Sequence, residues 1–363
     1  MLAARARHGT NTLELERIPI PEPGPDDVVI KVAAAGLAPG MMSLLAMGAF
    51  RHLPTTLGHE AAGTVAAVGE RVTTVAVGDR VRVHPNLNCR NCVYCRTDRD
   101  MMCAQQAMIG HAAFGSAPMP LYKRYHDGGL AEYLRIPHWL IDPLPERVSF
   151  DVGAKIHDLA NTVRILKLVE PPLGSTVVVT AATGTMGTAT IKLAEHFGIG
   201  RLILVARNAE RLNAVRGLAR SLAVETIALE ELPSDWESTG WLTRQLRSVA
   251  PEGVSAVLDY IPAGAATGQA MAALTTGGVL AHMGGNATPL PIPPIGLMSN
   301  CWRFIGTRAC TRNDAHDVLN MLASGVLTAE ELITQRFPLT DTVDAVRDMQ
   351  NRNHPMWMTV VHP

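Results

Sequence analysis

The stretch Thr176-Val-Val-Val-Thr-Ala-Ala-Thr-Gly-Thr-Met-Gly187 decides the architecture. Thr176 to Thr180 is a short run dominated by β-branched residues and predicts a buried strand. Beyond it, Met186, Ala189, Leu193 and Phe197 recur at helical spacing. Between strand and helix, Ala182-Thr183-Gly184-Thr185-Met186-Gly187 reads as GxGxxG with alanine in the first glycine place. Gly184 lets the backbone approach a pyrophosphate, and Gly187 lets the helix pack closely on the strand. The helix start offers free N–H groups and a positive dipole end to phosphates. Alone, such a turn is explained about as well by small residues. Its place between a buried strand and an amphipathic helix makes it a candidate dinucleotide cradle.

The same alternation continues outward. Leu202 to Val205 reads as a second strand, followed by a polar helix containing Glu210, Arg211 and Arg216. Val254 to Leu258 and Val279 to Met283 supply two more strands. Strands alternating with helices predict a parallel sheet with right-handed crossovers. The second strand ends on Val205-Ala206-Arg207-Asn208. An acidic residue at Ala206 would hold a ribose 2′-hydroxyl; alanine removes both that acceptor and its repulsion of a 2′-phosphate. Arg207, with Arg211 one turn on, is suited to pair with that phosphate, so NADP(H) is favoured over NAD(H). The plain alternative is two solvated arginines at a helix start.

The first 150 residues have a different texture. Val28 to Val32 is an apolar run after a Pro-rich turn, and Ala61 to Val83 is rich in Gly and Val, as in a twisted barrel. The final fifty residues predict a helix over Asp314 to Ser324 and a strand over Met358 to Val361.

Length and composition agree. The chain has 363 residues, 47% apolar and 18% charged, enough for two cores and unlike a disordered chain. Lysine plus arginine (32) balances aspartate plus glutamate (33), so no nucleic acid or anionic membrane is implied as partner. The N-terminus lacks the apolar core of a secretion signal. Two charge-free stretches, Pro171 to Ile191 and Tyr260 to Trp302, are broken by Gly and Pro, and neither offers a membrane span. A cytoplasmic protein is expected.

Cys89-x2-Cys92-x2-Cys95-x7-Cys103 places four of the six cysteines on one short segment. Four thiolates at these gaps match one tetrahedral, closed, structural zinc better than a disulfide framework or an iron–sulfur cluster.

Taken together, these motifs resemble the medium-chain dehydrogenase/reductase superfamily, the zinc alcohol dehydrogenases and their zinc-free reductase relatives. The resemblance runs nearly end to end, through Gly58-His59-Glu60-x2-Gly63, Val77-Gly-Asp-Arg-Val81, the cysteine lobe, Gly128-Gly-Leu-Ala-Glu-Tyr133, the dinucleotide fold and Leu332-Ile-Thr-x-Arg-Phe-Pro338. It implies an α/β fold: a GroES-like β-barrel domain over 1–152 and 310–363, and a Rossmann doubly wound parallel-sheet domain over 153–309. It also implies a homodimer or homotetramer acting on a small-molecule substrate.

One part of the pattern departs from the family. The catalytic zinc ligands of such enzymes correspond here to Ala38, His59 and Asp158, and alanine cannot bind metal. The proton-relay hydroxyl corresponds to Gly40, and its usual neighbouring aspartate to Met41. His59 and Asp158 remain as two ligands, with Glu60 or His157 as the candidates for a third. The expectation is one structural zinc and no intact catalytic zinc. The implied activity is hydride transfer between NADP(H) and a small carbonyl-type or activated C=C or C=N substrate. A zinc-dependent alcohol dehydrogenase with rearranged ligands is the first alternative, and a non-catalytic cofactor-binding protein the second. Candidate proton donors are His59, Asp158, Glu60, Ser43, His157 and Tyr122. The segment Met108 to Asp127, with His111, Tyr122 and His126, is read as either a pocket wall or a surface excursion.

Overall fold

The computed structural model describes residues 1–10, 12–352 and 355–363. The chain divides into two compact units, Met1–Ala160 with Thr311–Pro363, and Asn161–Cys310.

The first unit is built on a mainly antiparallel sheet. Its strands in chain order are β1 (Asp27–Leu37), β2 (Glu60–Val68), β3 (Arg80–Val83), β4 (Tyr133–Pro137) and β5 (Ile141–Pro143). The predicted run at Val28–Val32 therefore extends to Leu37. The Gly- and Val-rich segment splits into β2 and β3 around a turn, as its glycines suggested. Strand β1 is the hub. It pairs antiparallel with β2, setting Gly36 opposite Glu60, and with β4 along its other edge. A short helix α1 (Met41–Ala46) follows β1 and buries Met41, Met42 and Leu45. The inward side chains of β1 and β2 join Leu57, Ile109, Tyr122, Leu130 and Leu134 in one apolar core. Ile109 and Tyr122 belong to the 108–127 segment, so that segment is part of the barrel core rather than a surface excursion. Its Tyr122 is 1% exposed.

Helix α2 (Phe150–Val169) follows. The division between the units falls inside α2, after Ala160, rather than at the expected 152/153 boundary. The cause is that α2 is one unbroken helix, buried continuously from Val152 to Val163, with no loop at which the chain changes unit.

The second unit holds a six-stranded, all-parallel sheet. Its strands are β6 (Thr176–Thr180), β7 (Arg201–Ala206), β8 (Ala223–Ala228), β9 (Val254–Asp259), β10 (Leu274–His282) and β11 (Arg303–Gly306). The order across the sheet is β8-β7-β6-β9-β10-β11. The order reverses at β6, and ligands of such sheets bind beyond the carboxyl ends of strands at that point. Val177, Val178 and Val179 of β6 are fully buried, each worth about 1.5–3 kcal/mol of hydrophobic stabilisation. Helices α3 (Thr185–Leu193) and α4 (Ala209–Arg216) follow β6 and β7.

The chain then returns to the first unit. Helix α5 (Arg312–Ser324) starts two residues earlier than predicted, because Thr311 caps it. The Thr311 side chain accepts from Asp314 N–H, and the Asp314 carboxylate accepts from Thr311 N–H. Strands β12 (Ile333–Pro338) and β13 (Met358–His362) pair in parallel, and β13 joins β1 to complete the order β5-β3-β2-β1-β13-β12. Among the described residues no helix is long and apolar enough to cross a membrane.

Candidate active site

The turn read as a dinucleotide cradle lies between β6 and α3. Ala182 is fully buried, and its N–H donates to Val205 O at 3.1 Å, tying the turn to β7. Gly184 is the residue before α3, and a Cβ there would touch only Ala181 O at 3.4 Å. At Gly187 a Cβ would come within 2.6 Å of the Ala182 backbone, so only glycine allows this close approach of helix to turn. Thr183, Thr185 and Met186 are partly exposed along the turn.

At the end of β7, Ala206 is buried and its side chain carries no polar atom, and Arg207 is exposed. Asn208 caps α4 by accepting the Arg211 backbone N–H at 3.0 Å. Sequence reading missed Glu230. Its carboxylate accepts from Asn208 Nδ2 at 3.1 Å and from Ala209 N–H at 2.9 Å. An acid from the β8 side thus sits at this edge of the cradle. A second missed group lies at the ends of β6, β9 and β10. Buried Asp259 accepts from Thr180 Oγ1 at 2.5 Å and Thr267 Oγ1 at 2.9 Å, and lies 2.6 Å from His282 Nδ1.

The four cysteines converge as predicted. Their sulfurs all lie within 4.8 Å of one another, and none is in a disulfide. Backbone N–H groups of Cys92 and Gln105 point at Cys89 Sγ and Cys103 Sγ, both at 3.3 Å. Burial opposes ionisation of Cys89, yet N–H donors from Asn91 and Cys92 pull its thiol down to about 6. Burial pushes the Cys95 and Cys103 thiols up. Thiols kept protonated by burial release protons on binding a cation. The donor set fits one zinc, which Cys89, Cys92, Cys95 and Cys103 would hold.

A second polar centre forms around the start of β2. His59 is 5% exposed and its Nδ1 has no hydrogen-bond partner. Its ring meets His111 edge-on at 4.6 Å between centroids and His157 at 5.1 Å. His111 comes from the 108–127 segment, where Tyr122 donates its hydroxyl to His111 O at 2.6 Å. Burial lowers all three imidazoles: His59 well below its ordinary value, His111 to about 4 and His157 to about 3.

Glu60 and Asp158 do not face these imidazoles alone. Between them lies Lys155, a residue that sequence reading passed over. It is fully buried, and its Nζ is 2.5 Å from Glu60 Oε2 and 2.6 Å from Asp158 Oδ2. Burial alone would neutralise such a lysine, but the Asp158 and Glu60 charges hold it above its ordinary value. Burial, and then Asp158, push the Glu60 carboxyl up to about 8.

The remaining candidates stand apart. Ser43 is exposed on α1. Ala38, just past the end of β1, presents only a methyl group, and Gly40 precedes α1 with no side-chain cap. Among the described residues, the four cysteines are the one group of three or more His, Cys, Asp or Glu whose ligand atoms converge this closely.

Comparisons with known proteins bear on the family and the fold. The chain matches the family described as "Alcohol dehydrogenase GroES-like domain" over residues 24–146 and that described as "Zinc-binding dehydrogenase" over residues 185–324. The "Sorbitol dehydrogenase" of Bacillus subtilis (strain 168) is 26% identical over 367 residues, covering 97% of this chain and 95% of its own length. A relative from Aspergillus clavatus named "Probable D-xylulose reductase A" is 28% identical, covering 94% of this chain and 92% of its own. The crystal structure of an NAD-dependent alcohol dehydrogenase superposes with a TM-score of 0.84 at 25% identity, covering 100% of both chains. The alcohol dehydrogenase TADH from Thermus sp. ATN1 superposes at 0.82 with 24% identity, over 100% of this chain and 99% of that one.

The chain belongs to the medium-chain dehydrogenase/reductase superfamily, among its zinc-type alcohol dehydrogenase-like members. Within that class it is a nicotinamide-dependent oxidoreductase, with a GroES-like domain and a Rossmann domain.

Proposed function

We propose that this enzyme reduces a small carbonyl-type substrate, or an activated C=C or C=N bond, with NADP(H) and without a catalytic zinc. The observation that carries the zinc-free reading is the Glu60–Lys155–Asp158 set, with both carboxylates ion-paired to one ammonium. Ala38 offers no donor. A catalytic zinc needs three protein ligands and an open position, and among the described residues the ligating atoms around His59 do not converge as those of the four cysteines do.

The nicotinamide, when bound, supplies or accepts the hydride. The chain's own residues do the rest. Gly184, Gly187 and the start of α3 cradle the pyrophosphate. Arg207 and Arg211 favour a 2′-phosphate, and Ala206 removes the acid that would repel it. Glu230 opposes this preference and sets its size. His59, with Nδ1 unpartnered and its ring held neutral, is the group placed to exchange a proton with substrate, and the edge-on contacts of His111 and His157 fix its plane. Electrophilic substrates suit such a site, because positioning rather than Lewis-acid polarisation lowers the barrier.

The competing reading is a zinc-dependent alcohol dehydrogenase acting on polyols, favoured by the paired rings of His59 and His157 and by the names of the relatives. NADPH oxidation at 340 nm against a panel of ketoses, simple ketones, aldehydes and enones separates the two. The zinc-free reading expects turnover that survives mild chelation. Turnover lost on chelation and restored by zinc overturns it.

A further inference from the structure

Lys155 sits among groups that would otherwise attract a metal. Its ammonium is ion-paired with both neighbouring carboxylates, Glu60 and Asp158. Two buried acids thus share one cation. The chain is shaped to keep it there. Glu60 starts β2 opposite Gly36, and the Glu60 carboxyl fills the space that a side chain at 36 would need. Asp158 lies one helical turn beyond Lys155 on α2, so a single helix presents the ammonium and one of its acceptors.

A divalent ion bonding the same oxygens would have to break both ion pairs. It would leave a fully buried ammonium beside a doubly charged neighbour, with no water to solvate it. We propose that Lys155 is the resident cation of this centre: Nζ stands where a divalent ion would bind Glu60 and Asp158, holds both acids in place and bars a second metal from the chain. Lys155 is a positioning residue. This deepens the zinc-free reading above and rests on it, by naming what replaces the ion.

The test is metal uptake by the full chain with its cysteine lobe loaded with zinc. Purified chain is dialysed against excess Co(II), then against metal-free buffer, and bound ions are counted by elemental analysis. The unsubstituted chain should stay at about one ion per chain, and Lys155→Arg, which keeps the charge, should do the same. Lys155→Ala removes the cation and leaves two buried acids with no counter-charge, and it should rise to about two ions per chain. The added cobalt should give a visible absorption band that the unsubstituted chain lacks. Should Lys155→Ala unfold in metal-free buffer, Co(II) or Zn(II) should restore its far-UV circular dichroism. If it folds yet takes no second ion, or unfolds and no metal rescues it, the assignment of Lys155 is overturned while the zinc-free reading stands. A second tightly held ion in the unsubstituted chain overturns both.

Discussion

Gly36 and Glu60 face each other across β1 and β2, and the Glu60 carboxyl occupies the volume that any larger residue at 36 would claim. Gly36→Ala should therefore do more than crowd a strand. Overpacking of this kind costs about 1–3 kcal/mol, and here the atom displaced is one end of the Glu60–Lys155 ion pair. A thermal melt should show the loss. A variant with unchanged melting temperature would mean that Glu60 has another place to go.

Cofactor preference follows from the end of β7. NADPH should bind more tightly than NADH by about 1–3 kcal/mol, the worth of charge-assisted bonds to a phosphate. Arg207→Ala should erase most of that difference, and Glu230→Gln, which removes an acid from the same edge, should enlarge it. Titration calorimetry with both cofactors measures all three. Equal affinities in the unsubstituted chain would remove the basis for NADP(H).

Stability should fall in mild acid. His111 and His157 are held near 4 and 3 by burial, against an ordinary value of 6.5. Below about 6.5 the unfolded chain binds the extra protons, so their contribution is complete above that pH and is lost as pH falls through the folded values. Glu60 has the opposite sign: its value is raised to about 8, so its contribution is present at low pH and is lost as pH rises toward 8. Urea midpoints should drop between pH 6.5 and 4, and should drop less in a His111→Gln, His157→Gln double variant. An equal drop in that variant would place the acid sensitivity elsewhere.

The cysteine lobe should depend on its metal. Cys103 is the buried member, 1% exposed, and Cys103→Ser should lose zinc and become protease-sensitive within the 89–103 segment. Retention of one tight zinc by that variant would show that three cysteines suffice.

Much of this was legible in the sequence. The strand at Thr176–Thr180 needed only its β-branched run, and the cysteine lobe only its spacing. Other features left weaker traces. Helix α2 is buried on nearly every face, so it shows no polar stripe, and Lys155 within it reads as an ordinary solvated lysine. Only the pairing of α2 with the start of β2, far apart in the chain, reveals its partners. His111 is similar: a histidine in a long connecting segment carries no mark of burial until the fold sets it against His59. Glu230 lies beyond β8, and its link to Asn208 is a tertiary contact that no local pattern encodes.

The central claim is hydride transfer by a chain with one structural zinc and a built-in ammonium where a catalytic ion would stand. Zinc content, measured by elemental analysis on active enzyme purified without added metal, tests it most directly. The account predicts about one zinc per chain, in the four-cysteine lobe, with NADPH-dependent turnover unchanged after mild chelation. About two tightly held zincs per chain, with turnover lost when one is removed, would contradict it.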